Sequence, residues 1–119
     1  MKPMTIRRLH SGPRMSQAVV CNGMVFLAGQ VAEDTGQDVG GQTRQVLAAI
    51  DRLLAEAGSD KSRLLAAQIF LADMADLAAM NKVWEAWVAP GQTPARATVQ
   101  AAMAGPHYKV EIVVTAAVA

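Results

Sequence analysis

Cysteine is nearly missing from this chain. Cys21 stands alone among 119 residues, so no internal disulfide can form, and a reducing compartment fits. Histidine is almost as scarce. His10 and His107 lie far apart without ligand spacing, so no zinc site of Cys and His, and no other metal site, is expected. No basic block exists to follow a phosphate backbone. With 11 basic against 10 acidic side chains the net charge is +1, which disfavours a nucleic-acid binder. No apolar run is long enough to span a membrane. The start, Met1-Lys2-Pro3-Met4-Thr5, is not followed by the apolar core of a secretory signal, and a cytoplasmic protein is expected. Aromatics are only 4% of residues. What the chain does have is small apolar side chains: 52% of it is hydrophobic and 18% charged. That is too apolar for disorder and fits one domain over residues 1–119. With so few large side chains the internal core is limited, and the apolar excess is expected to lie in a subunit interface.

The pattern along the chain predicts an α+β fold. Residues 5–9 read as a short strand. Residues 17–21 and 24–31 read as strands joined by Asn22-Gly23, a type I′ hairpin turn. Residues 33–41 are polar with three glycines and read as a loop. Val39, Thr43, Val46, Leu47, Ile50, Leu53, Leu54 and Ala57 then recur at helical spacing, with Gln42, Arg44, Gln45, Asp51, Arg52 and Glu56 elsewhere on the wheel. Gly58 follows as the helix stop. Residues 62–71 read as a strand. A second helix starts near Asp73 or Asp76, carries the stripe Leu77, Met80, Trp84, Trp87 and Val88, and ends at Pro90-Gly91. Strands at 97–103 and 109–117, joined around Gly105-Pro106, close the order βββαβαββ. Both helices can cover one face of a single sheet. The other face, rich in alanine and valine, then needs burial against identical copies, as do the sheet edges.

Charge inside an apolar strand is the signal for chemistry. Arg96 opens the run Ala97-Thr98-Val99, and Glu111 interrupts Val110-Ile112-Val113-Val114. A carboxylate there is costly unless paired, hydrogen-bonded or lining a cavity. One reading is a structural Arg–Glu pair across a C-terminal hairpin. The other is an anion site with a nearby base: a guanidinium holds a carboxylate by two parallel hydrogen bonds, and a partly buried glutamate can direct water. Other candidates are weaker. Cys21 has no neighbouring base and reads as a small buried hydrophobe. Trp84 and Trp87 read as core or interface, Arg14 as solvated, and Gly36, Gly40 and Gly41 lack phosphate-loop spacing.

The stretch Thr93-Pro94-Ala95-Arg96-Ala97-Thr98-Val99, followed by Tyr108-Lys109-Val110-Glu111-Ile112, resembles the C-terminal signature of the RidA/YjgF family. These are enamine/imine deaminases that also carry the label endoribonuclease L-PSP. Ser16-Gln17-Ala18, Ala28-Gly29-Gln30, Gln42-Thr43-Arg44-Gln45-Val46-Leu47 and Phe70-Leu71-Ala72-Asp73 with Met80-Asn81 match further blocks in the same order. The resemblance implies a chorismate mutase-like fold: a single mixed sheet with two helices on one face, assembled as a homotrimer with a cleft at each subunit interface. It implies that Arg96 binds the carboxylate of a 2-imino acid and that Glu111 activates the attacking water. Thr98, Gly29 and Asn81 match further residues of the ligand site. Met15 lines it where many members carry tyrosine, and Ala28 stands where many carry serine.

The leading reading is therefore hydrolysis of reactive 2-imino or enamine acids to 2-keto acids and ammonia. No cofactor is expected, because an imine is already electrophilic. The expected partners are a small 2-imino or 2-keto acid and further copies of the chain, with neither nucleic acid nor membrane. A non-catalytic binder of small carboxylates needs Arg96 but not Glu111. A chorismate mutase would want more than one placed cation for its dianionic substrate. A ribonuclease finds little support without a histidine pair or a metal cluster.

Overall fold

The Asn22-Gly23 turn adopts the left-handed geometry that its composition suits, with φ of +52° and +75°. It joins β2 (Ser16–Cys21) to β3 (Met24–Leu27) in a computed structural model that describes residues 4–119. Residues 1–3, part of the segment from which no leader is expected, lie outside the described residues. The first strand, β1, runs from Ile6 to Ser11 and pairs antiparallel with β2.

Helix α1 (Val39–Glu56) buries the whole expected stripe on the sheet. It starts inside the segment read as a loop. Asp38 caps it, accepting from the Gly41 amide at 2.9 Å, a contact worth about 1 kcal/mol. Glycine is placed at 41 by packing: a Cβ there would come within 2.8 Å of the Gln37 side chain. Gly58 takes φ +83° just past the helix. One expectation fails: Gln42 is fully buried. It lies three residues after Val39 and four before Val46, so it belongs to the stripe.

A 3₁₀ turn, Lys61–Arg63, leads into β4 (Leu64–Leu71), which therefore starts two residues later than expected. Asp73 caps a second 3₁₀ turn, Met74–Asp76, and α2 (Leu77–Trp87) follows directly, with no side-chain cap from Asp76. Met80 and Trp84 face the core. The last strands are β5 (Ala95–Gln100) and β6 (Val110–Ala117).

All six strands form one sheet in the order β1-β2-β3-β6-β4-β5. The expected C-terminal hairpin does not form. β4 lies between β5 and β6, parallel to the first and antiparallel to the second. The reason is the connection: α2 carries the chain from β4 back over the sheet, as parallel pairing requires. The core lies between the helices and one sheet face, with Val25, Ile69, Leu71, Ile112 and Val114 meeting Ile50 and Leu54 of α1. No helix is long and apolar enough to cross a membrane among the described residues.

Candidate active site

Strand alternation separates the two charged candidates. On β6, Val110, Ile112 and Val114 are buried toward the helices, so Glu111 points to the open face. It pairs with Phe70, which in turn pairs with Val99 of β5. Arg96 pairs with core-facing Ala67 and so lies on the helix side of the edge strand. There its guanidinium carbon sits 5.5 Å from the centre of the Trp84 ring, a cation–π distance. Ala67 pairs in turn with Val114, three residues past Glu111. Two strands and three residues put the Arg96 and Glu111 Cα atoms about 14 Å apart, with side chains on opposite faces. The ion pairs among the described residues are His10–Glu56 and Arg63–Asp60. The structural Arg–Glu pair is therefore not made within the chain.

Each charge sits in a niche of its own. Thr98, two residues after Arg96, also faces the helices, and its Oγ1 is buried without a hydrogen-bond partner. Asn81 Oδ1 on α2, one turn before Trp84, is orphaned in the same way. Buried polar atoms of this kind are rare, since each forfeits its hydration without return. Arg96 and Thr98 share the helix-facing side of β5, and Asn81 lies one turn before the Trp84 whose ring Arg96 approaches, so unspent hydrogen-bonding capacity gathers on this side of the sheet. Trp84, read as core or interface, is buried in the core and also presents its ring to Arg96.

The second group surrounds Glu111. Its carboxylate packs directly on the backbone of Gly29: a Cβ at that glycine would lie 2.9 Å from the Glu111 carboxyl carbon and overlap one of its oxygens. The Gly29 segment is held by Gln30, whose side-chain amide donates to Gln17 Oε1 at 2.9 Å and to the Ala28 carbonyl at 3.0 Å. Gln30 also exchanges both backbone hydrogen bonds with Ile112. Met15 lies in the β1–β2 turn and is 49% exposed, and Arg14 beside it is exposed as well. Cys21 is half-buried rather than buried, because its register with Met24 puts it on the open face.

Neither niche coincides with either of two grooves of the single chain. One groove of about 670 Å³ runs between α1 and α2 past Leu47, Val83 and Trp87. Another, of about 620 Å³, lies between α1 and the first strands, past His10, Gln30 and Glu56. None of Met15, Gly29, Asn81, Arg96, Thr98 and Glu111 lines either groove. Among the described residues no cluster of three or more Cys, His, Asp or Glu is placed to hold a metal.

A two-layer α+β domain with an open apolar sheet face and divided polar niches is a recognisable class, and known proteins supply its family. The family model described as endoribonuclease L-PSP matches residues 5–118. A RutC family protein of Haemophilus influenzae is 50% identical over 114 residues, covering 95% of this chain and 98% of the relative. The crystal structure of NMB1025, a YjgF-family member from Neisseria meningitidis, superposes with a TM-score of 0.95. It is 53% identical, with 98% of this chain and 97% of that one covered. More distantly, the chloroplastic Reactive Intermediate Deaminase A of Arabidopsis thaliana is 36% identical over 103 residues, which is 82% of this chain and 54% of the plant protein. The chain belongs to the RidA/YjgF family.

Proposed function

We propose that this protein is a cytoplasmic homotrimer that hydrolyses 2-imino or enamine acids to 2-keto acids and ammonia, at clefts between its subunits. One observation carries the reading. Among the described residues, Arg96 and Glu111 each lack an ion-pair partner, and they lie on opposite faces of the same sheet. A second copy against the open face is the way for the two niches to meet. The name of the plant relative supports the reaction class.

In the assembled cleft, the Arg96 guanidinium holds the substrate carboxylate by two parallel hydrogen bonds. Thr98 Oγ1 and Asn81 supply further polar contacts. Glu111 accepts a proton from water as the water oxygen bonds to the imine carbon and the C=N electron pair moves to nitrogen, which takes that proton to give a tetrahedral amino alcohol. The hydroxyl proton then passes by way of Glu111 to the amino group, the C–N bond breaks, and ammonia leaves as the oxygen forms the keto carbonyl. The Gly29 backbone keeps Glu111 in place without filling the space that water needs.

Mixing two inactive variants tests the shared site. Arg96→Ala and Glu111→Gln are each expected to abolish most turnover of 2-iminopropanoate generated in situ by an amino-acid oxidase. Co-refolded in equal amounts, they assemble mixed trimers in which about one interface in four has both intact halves, so about a quarter of parental activity returns. No recovery means that both residues act within one chain or that the assignment is wrong. Keto-acid binding without turnover in the parent identifies a carboxylate binder instead.

A further inference from the structure

We infer that Gln42, on the buried side of α1, is a positioning residue for Glu111. The inference rests on the deaminase reading, since it concerns the group that directs water. Gln42 is fully buried and its carboxamide is saturated. Nε2 donates toward the carbonyls of Thr35, Gln37 and His107 at 3.3, 3.1 and 3.0 Å. Oε1 accepts from the Lys109 amide at 2.9 Å. A carboxamide has two N–H donors, so the three carbonyls share two hydrogens. Two of these partners belong to the loop before α1. The other two belong to the segment that enters β6.

That segment has little else to hold it. The β4–β6 register ends at Leu71–Val110. Before it, Lys109 is fixed by Gln42 on its amide and by the Ala72 amide on its carbonyl, at 3.1 Å. Glu111 comes two residues later. One residue beyond it, Ile112 is tied to Gln30 by hydrogen bonds of 2.9 and 3.1 Å. Glu111 itself pairs with Phe70 of β4; on its other side the strand is held by the backbone beside Gly29, and its entry is held by a side chain of α1. A water-directing carboxylate has to be held to about half an ångström, and Gln42 fixes the path by which the chain enters the strand that carries it.

Gln45 provides the control. One turn along α1, it holds the same loop through both backbone groups of Asp34, each at 3.0 Å. It has no hydrogen bond to the 107–111 segment. Gln42→Met keeps the length and removes the polar atoms. Its kcat for 2-iminopropanoate is expected to fall roughly 10- to 100-fold, with KM within about threefold of the parent because the Arg96 niche is untouched. Gln45→Met should keep kcat within about twofold, even where its thermal midpoint drops. Gln42→Glu retains the acceptor for Lys109 but loses its donors when ionised. Part of its kcat should therefore return as pH falls and the carboxyl regains a proton, relative to the parent at each pH.

Equal losses in Gln42→Met and Gln45→Met, or a loss confined to KM, overturn the proposal. If Gln42→Met does not fold, Gln42→Glu decides: a kcat equal to the parent at every pH overturns the role. Glu111→Gln separates the two levels. If it turns over at the parental rate, the deaminase reading falls and the positioning role with it. If it is slow while folded Gln42→Met runs at the parental kcat, the positioning role alone falls.

Discussion

Glu111 lies half-buried between Phe70 and the backbone of Gly29, and among the described residues no cation pairs with it. Desolvating a carboxylate without a counter-charge opposes folding, and the position fits the proposed use of its charge. Arg96 is its counterpart, spread over the Trp84 ring with its hydrogen-bonding fork free of any carboxylate. The contact between Glu111 and Gly29 gives a direct test. In Gly29→Ala the new methyl overlaps the carboxylate, and the side chain rather than the strand gives way because it is the flexible partner. Imine hydrolysis is expected to fall about 10- to 100-fold as Glu111 is displaced. Pyruvate affinity, measured calorimetrically and set by Arg96, should stay within about threefold. Hydrolysis at the parental rate would show that catalysis does not depend on where that carboxylate sits.

At the scale of elements, the short turns carry their own electrostatics. The 3₁₀ turn before β4 is capped by Asp60, which accepts from both the hydroxyl and the amide of Ser62. These bonds, the hydroxyl's first, hold the Asp60 carboxyl below its ordinary range. A carboxyl with a depressed folded value stabilises the fold above its unfolded pKa of about 3.9. That contribution disappears as pH falls through the lowered folded value. Ser62→Ala removes the largest cause, so the Asp60 midpoint in an NMR titration should rise toward the ordinary value. The variant should be less stable than the parent at about pH 7, and the difference should vanish as pH falls below the lowered folded value. An unchanged midpoint would mean that the hydroxyl bond is not made in solution. Elements of this kind also mark what the sequence could reveal. The α1 stripe, the Asn22-Gly23 turn and the helix stop at Gly58 were legible because each is a local rule. The order of β5 and β6 was not, because two strands adjacent in sequence read as a hairpin unless the crossover through α2 is weighed. Arg96 and Glu111 were legible as charges in apolar strands. Their placement on opposite faces follows from pairing with β4, which no local pattern encodes. Gln42 was misread as a surface residue because polarity outweighed its spacing.

The whole molecule is a slab, 51 × 37 × 21 Å, one helix layer on one sheet. Its radius of gyration of 14.5 Å exceeds the roughly 13.5 Å of a compact domain this long, as a flat shape requires. The uncovered sheet face bears large apolar side chains, including Ile6 (47% exposed), Phe26 (46%) and Val99 (49%). Large apolar side chains exposed across a sheet face fit an interface, and β1 and β5 are sheet edges that call for cover. In the proposed trimer, three copies closing around their open faces would bury both, and they would set the Glu111 side of one chain toward the Arg96 edge of the next. Light scattering of the parent in dilute solution should therefore give about three times the chain mass. Phe26→Asp places a charge on this face but leaves the core alone, since Phe26 is already exposed in the single chain. It should keep its circular dichroism, scatter as a monomer, and lose imine hydrolysis by about 100-fold or more, because Arg96 and Glu111 no longer share a cleft. A parent that stays monomeric, or a Phe26→Asp monomer that still turns over, would return the chemistry to a single chain. The separation of Arg96 and Glu111 across the sheet would then have to be bridged by some movement within it.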